Sequence, residues 1–151
     1  MTQSQIMELW TANIPTRILE YVLMTQNVLK LIIVSPWISP QRDCRLLEIL
    51  CRRIDKEQIA CMVITRTPRD TWHSEAIGLL RSAGSRIYYN DWLHAKIYVV
   101  KAENLDYGFF GSANLTYSAN FTDDLAILIR GVGEGKGIVE RLTLYAYHLK
   151  G

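Results

Sequence analysis

The reading of this chain turns on Leu93-His94-Ala95-Lys96-Ile97-Tyr98-Val99-Val100-Lys101. Side chains alternate across a strand, so Leu93, Ala95, Ile97 and Val99 point one way while His94, Lys96 and Tyr98 point the other. The first set predicts a strand set in a core, and the second stands an imidazole beside an ammonium. After a turn and a second apolar strand, Tyr107–Gly111, comes Gly111-Ser112-Ala113-Asn114. A hydroxyl, a carboxamide and close backbone approach become available there. If the two strands are neighbours, four polar groups converge on one spot, a set that suits a tetrahedral phosphate with a nucleophile next to it. Alone, His-x-Lys and Gly-Ser-x-Asn are commonplace; the signal lies in their order and in the strand that carries each.

Working outward, residues 14–26 show helical spacing of apolar side chains, and Leu29–Ser35 is a run rich in β-branched residues, which reads as a buried strand. Pro36 and Pro40 break it, and Cys44, Leu47, Cys51 and Ile54 mark one face of a helix over about 42–54. Ile59–Thr65 supplies another strand. Asp70 or Thr71 caps a helix to about Ala83, closed by Gly84. Short strands are expected at Ile87–Tyr89 and Leu125–Arg130, and a last helix over about Ile138–Leu149. Helices early and strands clustered late predict a single α/β domain over residues 1–151: one mixed sheet with helices on both faces.

The 151 residues are 49% hydrophobic and 21% charged, ordinary globular composition. Cys44, Cys51 and Cys61 lack metal-ligand spacing and read as reduced core residues. Neither a signal segment nor an apolar run near the roughly 20 residues of a membrane span is visible, so a cytoplasmic protein without a membrane partner is expected. A net charge of +2 excludes a protein that holds nucleic acid by charge alone. Residues 41–86 carry nine cations against six acids, a mild excess that a solvated helix face would also give.

Leu93-His-Ala-Lys-Ile-Tyr-Val-Val100 followed by Phe110-Gly-Ser-Ala-Asn-Leu-Thr116 resembles the signature of the phospholipase D superfamily. Leu31–Ile38 is similar to that superfamily's first core strand, and His73–Ile77 to the helix before its motif strands. The resemblance implies a phospholipase D-like fold. It also implies a phosphodiesterase without metal or other cofactor, in which one His94 attacks phosphorus to form a phosphohistidine and a second protonates the leaving oxygen. Histidine suits both tasks because its unperturbed pKa of about 6.5 lies near neutrality. Lys96, Ser112 and Asn114 would hold the phosphate oxygens. Asp124, with Asp123 as the alternative, would bind the second ring nitrogen of His94. The superfamily usually has Asp at the position of Lys101; Glu103 or Asp106 could stand in.

Short members with one motif are mostly nucleases that complete their site as dimers, so the resemblance further implies a homodimeric nuclease, DNA ahead of RNA as substrate. A lipid phosphodiesterase and a binding module that has lost turnover remain alternatives. Gly111, Trp37 and Trp92 are candidate substrate contacts, since Trp can stack bases, although burial is its commoner use. Gly131-Val-Gly-Glu-Gly-Lys136 lies between strand and helix but lacks phosphate-loop spacing, and reads as a flexible connection. His73 and His148 read as surface or packing residues.

Overall fold

Leu31, Ile32, Ile33 and Val34 are all buried, so the strand they form is covered on both faces and lies in the interior of a sheet. A computed structural model describes residues 6–41 and 45–151. In chain order it contains β1 (Met7–Trp10), α1 (Ile14–Met24), β2 (Val28–Val34), α2 (Leu46–Glu57), β3 (Ala60–Thr65), α3 (Thr71–Ser82) and β4 (Arg86–Tyr89). Then follow β5 (Ile97–Ala102), β6 (Tyr107–Gly111), a 3-10 turn at Ser118–Asn120, β7 (Ala126–Arg130) and α4 (Gly135–Leu149). The strands make one mixed sheet in the order β1-β7-β6-β5-β2-β3-β4. β2, β3 and β4 run parallel, and the remaining pairs are antiparallel.

Alternation sorts the side chains to two cores. Leu31, Ile33, Val63, Tyr98, Val100 and Phe109 face α1, α2 and α3, which contribute Ile18, Leu50 and Leu80 among others. Ile32, Val34, Ile64, Ile97, Val99 and Ile129 face α4, which contributes Val139 and Ala146. Helices thus cover both faces, three on one and one on the other. The Asp70 carboxylate accepts from the His73 backbone N–H at 2.8 Å and caps α3, while Gly84 takes φ 98° just past its end.

Several boundaries differ from the sequence reading. The expected strand from Leu93 begins only at Ile97, because β2 ends at Val34 and Pro36 has no N–H to extend the ladder. α2 runs to Glu57, and the expected start at 42–44, with Cys44, lies outside the described residues. α4 starts at Gly135, where a β-carbon would overlap the carbonyl of Arg130. β1 was not expected at all: three of its four residues are exposed, so it lacks a readable apolar face. It is held as an edge strand by β7 and by the Glu8–Arg130 ion pair at 3.0 Å.

Cys51 and Cys61 are buried and free, and burial pushes their thiols up to about 12 and about 11, so they are protonated core residues at neutral pH. No described helix is long and apolar enough to cross a membrane.

Candidate active site

The register places the ends of five elements at one edge of the sheet. Val34 is level with Ile97, Ile97 with Phe110, and Gly111 with Ala126. Ser35 and Arg66 follow the ends of β2 and β3, His94 and Lys96 precede β5, Ser112 and Asn114 follow β6, and Asp124 precedes β7. Leu93, Ala95 and Ile97 belong to the α4-side core and Tyr98 to the other, as alternation requires. Residues 93–96 continue beyond the sheet, tied to it by a bond from Gly111 N–H to the Lys96 carbonyl at 3.4 Å. His94 is therefore exposed on a rigid support.

The Lys96 ammonium lies 3.5 Å from His94 Nδ1. Burial lowers the Lys96 pKa and the Arg66 guanidinium lowers it further, while the Asp124 carboxylate opposes both. Arg66 was not singled out by sequence, where it was one cation in a mild excess. Its Nε donates to the Leu93 carbonyl at 2.7 Å, and the next residue, Thr67, donates its backbone N–H to Asp91 at 2.8 Å. Arg66 is thus fastened beside the histidine segment. Its position just past a parallel strand's carboxyl end, where ligands of open α/β sheets gather, is the signal that could have found it.

Ser112 donates to Asp124 Oδ1 at 2.7 Å and accepts the Leu125 N–H at 3.1 Å. The other Asp124 oxygen accepts from Thr122. These local bonds take up both Asp124 oxygens, and none to His94, the partner expected from the sequence, occurs among the described residues. Asp123 is exposed. Buried Ser35 receives the Leu115 N–H at 3.0 Å, gives its proton to the Trp37 carbonyl at 2.7 Å and lies 3.4 Å from Asn114 Oδ1. Tyr98, whose ionisation burial pushes out of reach, donates to the Ala113 carbonyl at 2.9 Å. Together they fix the Ser112–Asn114 loop from below.

Gly111 has a physical reason to be glycine: a β-carbon would overlap the Leu125 carbonyl oxygen and sit 2.8 Å from Ala126 Cα. Of the two tryptophans, Trp37 is half-buried and shares the wall of a cavity with Asn114, whereas Trp92 is 95% exposed and stands apart two residues before His94. His73 is a packing residue, buried with Nε2 at 2.8 Å from Thr65 Oγ1, and His148 is exposed on α4. Lys101, at the far end of β5, pairs with Asp106 at 3.4 Å. No group of three or more His, Cys, Asp or Glu side chains with metal-site geometry occurs among the described residues.

Among solved structures, Nuc from Salmonella typhimurium, a phospholipase D family member, superposes with a TM-score of 0.66 over 95% of each chain at 12% identity. The chain has the phospholipase D-like fold. NucT from Helicobacter pylori superposes with a TM-score of 0.68 at 13% identity, over 95% of this chain and 94% of that one. TrmBL2, an archaeal chromatin protein with a novel mode of DNA binding, matches with a TM-score of 0.56 at 12% identity, over 96% of this chain and 53% of that one. No family model and no curated protein matches the sequence. In this phospholipase D-like fold the motif residues lie at the edge where the strand ends meet.

Proposed function

We propose that the chain is a metal-independent phosphodiesterase, a nuclease that cleaves DNA, and RNA less readily, through a phosphohistidine on His94. The observation that carries this reading is the ammonium of Lys96 at 3.5 Å from His94 Nδ1, both at a sheet edge with Asn114 and the Ser112–Asp124 pair. Nε2 is the nitrogen that attacks; its lone pair requires the ring proton on Nδ1, so the Lys96 ammonium, which cannot donate to a protonated Nδ1, turns from it to a phosphate oxygen as the substrate binds. Nε2 forms an N–P bond as the P–O bond to the leaving group breaks, and a second His94 gives that oxygen a proton; water, losing a proton to that second His94, then displaces the first from phosphorus. Lys96 and the Asn114 amide hold the oxygens on which negative charge develops. Ser112, with its proton on Asp124 and its lone pair on Leu125 N–H, braces the loop.

One chain carries one such histidine, and His73 is buried and bonded to Thr65. The second acid comes from another copy, in a two-fold dimer that brings both His94 side chains to one phosphate. Exposed Trp92, Phe121 and Leu125 lie within a few residues of His94 and Asp124, which supports an apolar contact around the site. The superposition on TrmBL2, which binds DNA, supports the choice of nucleic acid.

The test is an assay of the purified protein on single- and double-stranded DNA, RNA and a phospholipid in excess EDTA. Nucleic acid is cut, His94→Ala abolishes cutting, the solution mass is twice 17.4 kDa, and dimers mixing wild-type with His94→Ala chains are nearly inactive. Activity lost in EDTA and restored by metal, or mixed dimers at half activity, overturns the reading.

A further inference from the structure

We propose that the cavity beside Asn114 is a subsite for one unstacked nucleobase, so that the chain acts on single-stranded nucleic acid at a nucleotide whose base is turned out; this rests on the nuclease reading. The cavity encloses about 370 Å³, within the range of small-molecule sites. Three aromatic residues line it from three separate segments: Trp37 from the loop after β2, Trp72 from the first turn of α3, and Tyr117 from the loop after Asn114. Asn114 belongs both to the cavity wall and to the phosphate-holding motif, so a nucleotide bound at the motif has its own base within reach of these rings. Bases splayed from single strands are held in this way, by stacking on aromatic side chains beside polar groups that read their edges.

The lining chemistry selects among occupants. It includes the Asp70 carboxylate and the hydroxyls of Ser39, Thr116 and Ser118, with no Lys or Arg among the described residues. Lys96 does not line it, and Arg66 meets it only through the Trp37 ring, so the anionic phosphate at Lys96 and the cavity's occupant are separated. A quaternary ammonium, which a lipid headgroup would supply, also wants aromatic walls. Here the Arg66 and Arg69 guanidinium carbons already lie 5.4 and 6.0 Å from the Trp37 ring centroid, and a further cation would be repelled.

The floor is neutral as well. Thr65 gives its hydroxyl proton to the Pro36 carbonyl at 3.1 Å and so accepts from His73 Nε2, which assigns the ring proton to Nε2; burial lowers the His73 pKa and keeps the ring uncharged. A neutral planar ring bearing amino donors, such as cytosine, satisfies walls, floor and rim together.

Two measurements on the full chain test this. Kinetics compare oligodeoxycytidylate with an oligomer of the same length and phosphates in which every base is missing. Calorimetry compares deoxycytidine 5′-monophosphate with deoxyribose 5-phosphate and phosphocholine. The base is expected to lower KM and Kd about tenfold, the scale of one base–aromatic stack. Trp72→Ala, at a side chain 46% exposed that can be removed without opening the core, is expected to bring both ratios close to one, as is Tyr117→Ala. Equal affinities with and without the base, a base preference that survives in both variants, or phosphocholine bound more tightly than the nucleotide overturns the subsite. Base-dependent binding that Trp72→Ala abolishes, in a protein that cuts no nucleic acid, overturns the nuclease reading and leaves the subsite standing.

Discussion

Gly111→Ala tests whether one atom at the edge of the sheet governs the site. The added carbon would meet Ala126 Cα at 2.8 Å and Leu125 C at 3.0 Å, besides overlapping the Leu125 carbonyl oxygen. Carbon atoms rest about 3.5–4.0 Å apart, so β6 and β7 must separate locally by about 1 Å. The contacts that would stretch are the bonds between Ser112 N–H and Leu125 O at 3.0 Å, Leu125 N–H and Ser112 Oγ at 3.1 Å, and Ser112 Oγ and Asp124 at 2.7 Å. Overpacking of this kind costs about 1–3 kcal/mol. For a chain of this length that is a fall in Tm of about 2–12 °C. Misplacing reacting groups by about 1 Å can cost roughly 100-fold in rate. Urea or thermal unfolding reads the first effect, and hydrolysis of a chromogenic phosphodiester reads the second at a temperature where the variant is folded. A Gly111→Ala protein with wild-type stability and turnover would refute the claim that β7 backbone fills the space a β-carbon needs.

The lowered pKa of Lys96 predicts that the His94→Ala variant binds a phosphodiester less tightly as pH rises, with a midpoint below the ordinary lysine value of about 10.4, since the ammonium is shed earlier than usual. In that background Arg66→Gln removes a like charge and should move the midpoint up in pH, and Asp124→Asn removes an opposing charge and should move it down. Profiles of Kd against pH check both, and a midpoint that stays put in both variants separates Lys96 from the charges around it. Tyr98→Phe leaves the Ala113 carbonyl without its buried donor and should cost about 1–3 kcal/mol in urea unfolding, with turnover reduced through the Ser112–Asn114 loop; unchanged stability would show that the bond is dispensable.

Local pattern sufficed where the physics is local. The alternation in Leu93–Val100 separates His94 and Lys96 from the core side chains whether or not the ladder includes them, and the structure keeps that separation although β5 begins at Ile97. The apolar run Leu31–Val34 within β2 announced a strand covered on both faces, and Asp70 with Gly84 bracketed α3, because caps act within a few residues. β1 escaped notice since its stability comes from β7 and from Arg130, over a hundred residues away, and not from its own side chains.

The order and position of the motifs, His94, Lys96, Ser112 and Asn114, are properties of the sequence, and so is the strand that precedes or follows each. Their meeting at one edge is decided by register, Ile97 against Phe110 and Gly111 against Ala126, which depends on hydrogen bonds between distant segments. Tertiary structure alone turns Asp124 toward Ser112, brings Arg66 to Leu93, sets Ser35 beneath Asn114 and encloses a cavity between Trp37, Trp72 and Tyr117. Each of these joins groups far apart along the chain, and a contact across such a distance leaves no period or spacing in the residues that make it.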